Sequence, residues 1–193
     1  SDRSSMSLYA PAAVATLRRQ LHDHAGRCPE QAGLAGDFLA LLDDPLDPFQ
    51  RTRLAGHFTG SAWLVSADGQ RAALMHHRKL DRWLQPGGHA DGQVDLAAVV
   101  LKEAQEETGL ADLLLDDGAV YDLDRHWIPE RGEVPGHWHF DVRYVVRNRG
   151  SEVFVRNAES LALAWRSIQD IARDPASDGS LVRMAQRWLD RPA

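Results

Sequence analysis

Three acids, Glu103, Glu106 and Glu107, fall within one short stretch, "LKEAQEETGL". On a helix turning about 100° per residue, with Leu96 at zero, Glu103 lies at about −20° and Glu107 at about +20°. Glu106 lies at about −80°, and Val99, Val100 and Leu110 mark out an apolar stripe over the same range. The expectation is therefore two carboxylates in the middle of a stripe that the periodicity reserves for leucine or valine. A buried, unpaired carboxylate takes up a proton, and like charges at this spacing repel more strongly as water is excluded. A face of solvated acids paired with Lys or Arg is the plain alternative, but the apolar stripe runs straight into the acids. A hard divalent cation resolves both problems, since Mg²⁺ and Mn²⁺ prefer oxygen ligands. Just upstream stand Pro86, Gly87 and Gly88. Alone they read as a tight turn; ahead of this helix, they let backbone carbonyls approach an ion with no Cβ in the way.

The elements that must position these groups follow from periodicity. "APAAVATLRRQLHDHA" and "EQAGLAGDFLALLDD" carry apolar residues three and four apart, so the first 56 residues read as helical. "DPFQRTRLAGH" predicts a third, short helix with Asp47 as N-cap and Pro48 in the first position. After His57 the period changes. "HFTGSAWLVSA" and "RAALMHH" predict two strands joined at Asp68-Gly69, a strong hairpin signal. The acid-bearing helix runs from Asp95 to Thr108 and closes at Gly109 in the left-handed cap position. "AVYDLDRHWI", "HWHFDVRYVVRN" and "LALAWRSI" predict further strands, and helices follow near Ile168–Ala172 and Ser180–Leu189. The fold class is a mixed α/β domain in which a hairpin, a loop and a helix surround one acidic site.

Composition narrows the function. The chain has 193 residues, 44% hydrophobic and 26% charged, an ordinary balance for a folded domain. Its net charge of −6 argues against a general nucleic-acid surface. A single cysteine, Cys28, allows no internal disulfide and fits a reducing compartment; it reads as inert. No apolar run reaches the roughly 18 residues that a membrane span needs, and the N-terminus lacks the pattern of a secretory signal. A cytoplasmic protein without membrane or nucleic-acid partners is expected, its oligomeric state open and a homodimer included.

Other residues are candidates for substrate contact. Arg78, Lys79 and Arg82 form the most basic stretch near the acids and suit phosphate, with exposed ion pairing an equal alternative. Trp83 is placed to stack on a base, although six tryptophans in one small protein are mostly expected in the core. His137, His139 and Asp141 alternate along one strand and so share a face. That trio suits a transition metal, the lining of a substrate cleft, or simply a polar sheet face. Glu159 and Asp141 are the candidates for an additional base or ligand.

The segment from Gly88 to Leu110 resembles the Nudix box, G-x5-E-x7-R-E-U-x-E-E-x-G-U with U aliphatic. Gly88 opens it, and Lys102-Glu103-Ala104-Gln105-Glu106-Glu107-Thr108-Gly109-Leu110 closes it with the spacing intact. Val94 stands in place of the first Glu and Lys102 in place of the Arg. The resemblance covers about 58–171 and leaves the helical start outside it. It implies a Nudix-like α/β/α sandwich with a mixed sheet over 57–193, carrying an N-terminal helical extension over 1–56. It also implies a hydrolase cleaving a diphosphate linkage in a nucleoside diphosphate derivative, with Mg²⁺ or Mn²⁺ held by the Gly87 carbonyl, Glu103, Glu106 and Glu107. Arg78, Lys79, Arg82, Trp83 and His139 would then bind the substrate. A nucleotide sensor without turnover, or an isopentenyl-diphosphate-isomerase-like enzyme, is the alternative within the same fold.

Overall fold

The computed structural model describes residues 11–78, 80–155 and 162–192. Lys79 and Glu159, both named above, lie outside the described residues. Pro11 opens helix α1 (Pro11–Arg27), where its missing N–H costs nothing, and Leu17 and Leu21 line its buried side. A single 3₁₀ turn at Pro29–Gln31 leads into α2 (Ala32–Leu42), which buries Ala35, Phe38, Leu41 and Leu42. The predicted third helix does not form. Residues 47–55 are turns, and the Asp47 carboxylate accepts the N–H of Phe49 at 2.9 Å in a local turn. Thr52 and Leu54 are exposed, so no apolar stripe exists to dock a helix there.

The strands are β1 (Gly56–Val65), β2 (Arg71–His77), β3 (Arg82–Leu84), β4 (Gly87–His89), β5 (Leu113–Ile128), β6 (His137–Asn148) and β7 (Ala162–Ser167). They form a seven-stranded sheet ordered β3-β2-β1-β6-β5, with β4 paired to β1 and β7 to β2. The hairpin at Asp68-Gly69 is as expected: Gly69 adopts φ +74°, and Val65 pairs with Ala72. Three helices follow the chain order: α3 (Leu96–Thr108) after β4, then α4 (Ile168–Arg173) and α5 (Gly179–Asp190) after β7.

The chain divides into two compact units. One holds the described residues up to Gly60 with Gly88–Val100 and Gly118–Tyr144. Its core includes Leu21, Phe38, Phe49 and Phe58, and the Phe49 and Phe58 rings lie 4.9 Å apart. The N-terminal helices are tied to β5 here. Gln20 donates to the Gly118 carbonyl (3.2 Å), His24 meets the Val120 carbonyl (3.2 Å), and Gln31 donates to Asp122 (3.1 Å) and to the Leu123 carbonyl (2.9 Å). The other unit holds Ser61–Gly87, Leu101–Asp117 and the described residues from Val145 on. Trp63, Leu74, Ile168, Ile171 and Met184 are buried in it, and the Trp188 indole donates to the Gly69 carbonyl at 2.7 Å. No helix among the described residues is long and apolar enough to cross a membrane.

Candidate functional site

Helix α3 carries the three acids where the sequence puts them. Asp95 caps its start, accepting the N–H of Ala98 at 3.1 Å. Gly109 ends it at φ +70°, its N–H on the Gln105 carbonyl (2.8 Å); a side chain there would also run into Val155. The buried face differs from the expectation. Along the helix it follows Leu96, Val100, Ala104 and Thr108, a row of residues four apart that drifts around the axis. Glu103 and Glu107 therefore sit half-buried on the flank of that row, not in its middle, and Glu106 is exposed. The Gly87 N–H donates to the Glu107 carboxylate at 2.9 Å. This bond brings the glycine loop and the helix acids into one place.

The two departures from the box pattern have different settings. Lys102 is exposed, and its ammonium stands 3.8 Å from Glu106 one helical turn on. Val94 is 2% exposed and lines a small cavity with Ala13, Thr16, Leu17 and Gln20 of α1. At 2% exposure an acid at 94 would lose its water and stand beside Asp95, whereas a valine packs there without that cost.

The proposed substrate contacts are spread out. Arg78 is an exposed turn residue. Arg82 pairs with Asp178 at 2.8 Å, so its fork is engaged. Trp83 is half-buried, with the Arg166 guanidinium 5.4 Å above its ring and His76 5.1 Å away. The expectation that the tryptophans are mostly core is corrected: Trp63 and Trp188 are buried, but Trp127 and Trp138 are 52% and 40% exposed and pack edge to face on each other. Trp138 also lies under Arg125 at 5.5 Å, so these rings cover each other at the surface instead of filling the core.

Two groupings were invisible in the sequence. The first is a buried ion cluster. Arg143, 6% exposed, reaches Asp141 (2.9 Å), Asp122 (3.3 Å) and Asp124 (3.5 Å), and Thr59 donates to Asp141 at 2.8 Å. Both Asp141 oxygens are thus engaged, which separates it from the two histidines it was grouped with. The second grouping is histidines. His57 of β1 joins His137 and His139 of β6, the three ring centroids 5.0 Å from one another. His89 stands 5.3 Å from His57 and 5.1 Å from His139, and His126 stands 5.5 Å from His139. Histidines 57 and 89 lie 80 and 48 residues before His137, so only chain folding could reveal the set.

Burial first, then the positive neighbours Arg51 and His57, holds the His89 pKa down at about 4; burial first, then His89 and His57, holds His139 at about 3. An unfolded histidine titrates near 6.5. Below that pH the unfolded chain takes up protons that the folded one refuses, so this stability is full above pH 6.5 and is lost as pH falls toward 4 and then 3. The unfolding midpoint of metal-free protein is expected to drop over that window. His139→Gln is expected to flatten the slope, and equal slopes in both proteins would contradict this account.

The model of the NUDIX domain family matches residues 57–185 of this chain. No curated protein matches it by sequence. Among solved structures, a C. elegans Ap4A hydrolase binary complex is similar with TM-score 0.52 at 16% identity, covering 68% of this chain and 96% of that one. A Nudix hydrolase from M. smegmatis gives 0.52 at 19% identity, covering 72% and 89%. The MutT protein from Methanosarcina mazei Go1 gives 0.51 at 15%, covering 70% and 94%. At such identities these structures establish the shared fold.

Proposed function

Since the chain belongs to the Nudix family of hydrolases, we propose that it cleaves a diphosphate linkage in a nucleoside diphosphate derivative in a reaction dependent on Mg²⁺ or Mn²⁺. The observation that carries this reading is the bond from the Gly87 N–H to Glu107, which sets the glycine loop against three carboxylates. The donor set fits a hard cation: every side chain in it offers oxygen, two are half-buried, and one reaches solvent. Glu103, Glu106 and Glu107, with the Gly87 carbonyl, would hold it. When bound, such an ion neutralises charge on the anhydride and makes a water more acidic.

The chain's own groups have distinct parts in this proposal. Glu107 orients the loop by accepting the Gly87 N–H. Glu106, the exposed acid of the three, is the one best placed to take a proton from an attacking water. Arg78, exposed beside β2, meets the phosphates, and Arg82 does so only by leaving Asp178. Trp83 offers a face for the base beside Arg166. Asp141, with both oxygens engaged, serves as a post holding β6 instead of a base. The extension over 1–56 is anchored in its described part on β5, through Gln20, His24 and Gln31. The name of one similar protein, an Ap4A hydrolase, agrees with a phosphate-anhydride substrate.

The test is chromatographic detection of the cleaved phosphate esters from a panel of dinucleotide polyphosphates, nucleotide sugars and nucleoside di- and triphosphates, with Mg²⁺, Mn²⁺ or EDTA. Cleavage of at least one compound is expected, and only with metal. The same ions should raise the unfolding midpoint by several degrees over EDTA, since a ligand at a hundredfold excess over Kd adds about 2.7 kcal/mol. No cleavage across the panel with either ion from pH 6 to 9 would sink the proposal.

A further inference from the structure

We propose that His57, His137 and His139 form a binding site for a transition-metal ion of the Zn²⁺ class, a site that shares no residue with the glutamate helix and does not rest on the hydrolase reading. One ring nitrogen from each of these histidines lies within 4.8 Å of the other two. Nitrogen donors select Zn²⁺, Ni²⁺ or Cu²⁺ over Mg²⁺, and three imidazoles leave the fourth tetrahedral position open.

Three details of geometry support it. The His137 and His139 Nε2 atoms are 3.1 Å apart. Two nitrogens about 2.05 Å from a tetrahedral zinc stand about 3.3 Å apart, so this pair is already spaced as ligands. His57 is 2% exposed, and its Nε2 is buried with no hydrogen-bond partner among the described residues. A buried polar atom left bare is costly, and a metal ion would satisfy it. The outer contacts are also in place. His57 Nδ1 meets the Arg53 carbonyl at 3.2 Å and His137 Nδ1 meets the Pro135 carbonyl at 2.9 Å. A carbonyl only accepts, so both rings carry their proton on Nδ1 and turn an Nε2 lone pair to the cluster, the arrangement that backbone carbonyls impose on metal-bound histidines.

Arg51 and Arg53 disfavour positive charge at His57, and each is offset in part by an aspartate. Arg51 is paired with Asp91 at 2.7 Å and Arg53 with Asp44 at 3.1 Å, while His126 faces Asp124 at 2.9 Å. His57 comes from β1 and the other two from β6, so a bound ion would staple the starts of two strands.

The full chain, stripped with chelator and dialysed, should bind one equivalent of Zn²⁺ by calorimetry. His139→Gln and His57→Gln should weaken that binding at least tenfold, and Glu107→Gln should leave it intact. Co²⁺ added to the wild type gives a check that requires no variant: a tetrahedral nitrogen site shows intense visible bands, and an oxygen site of six ligands shows weak ones. Absence of Zn²⁺ binding, wild-type affinity in both histidine variants, loss of binding in Glu107→Gln, or only weak cobalt bands would each overturn the proposal.

Discussion

Glu107→Gln and Glu106→Gln should each lower kcat about a hundredfold or more, roughly 2.7 kcal/mol of barrier. Glutamine keeps the size and an acceptor oxygen, so the bond from the Gly87 N–H survives in Glu107→Gln and the loop keeps its place. What is lost is negative charge at the point where a cation and an activated water are needed, and that loss is felt most in the transition state. Binding of a non-hydrolysable analogue should fall much less, because base and phosphate contacts elsewhere in the chain are untouched. Steady-state hydrolysis beside calorimetric binding makes the measurement. A sensor without turnover behaves differently: the variants would change affinity only, and the wild type would bind a nucleotide diphosphate and never cleave it. The Zn²⁺ titration above uses other residues, so the two proposals stand or fall separately.

Arg143→Leu should be strongly destabilising. Arg143 is buried and its charge is held by three aspartates, with burial opposing ionisation and Asp141 the strongest of the partners that favour it. Removing it leaves buried carboxylates without a counter-charge, and breaking such a cluster from one side costs about 3–5 kcal/mol. For a chain of this size, that corresponds to a fall in the unfolding midpoint of about 10 °C. Arg143→Lys should lie between, keeping the charge but losing the fork that reaches three partners at once. Thermal unfolding of the three proteins decides it, and a leucine variant within about 2 °C of wild type would refute the account.

These two experiments probe what was and was not legible in the chain. The acid helix was readable because its signals are local. The spacing of the glutamates, the Asp95 cap and the Gly109 stop all act within a few residues, and a helix forms from such contacts wherever one side can be buried. The hairpin at Asp68-Gly69, the reach of β6 and the last two helices were readable for the same reason. The expected helix in 47–57 fails because capping residues start a helix but do not give it a face to bury; within 47–55 only Pro48 and Phe49 are buried. The tryptophans were misjudged on composition, since a ring that is covered by another ring at the surface has no sequence signature.

By itself, the sequence determined the mixed α/β architecture, the family resemblance and the set of three carboxylates on one helix, because each depends on residue type at short, fixed spacing. Tertiary structure alone decided which side of that helix is buried, because the row of residues four apart drifts around the axis and only a packed neighbour selects it. It also decided that Val94 lies against α1, that Asp141 belongs to Arg143 instead of to the histidines, and that His57 stands beside His137 and His139. The contacts of Val94 with α1, of His57 with His137 and of Thr59 with Asp141 join residues about 80 positions apart, where the loss of chain entropy is met only by burial and pairing in the folded state, and local pattern carries no record of them.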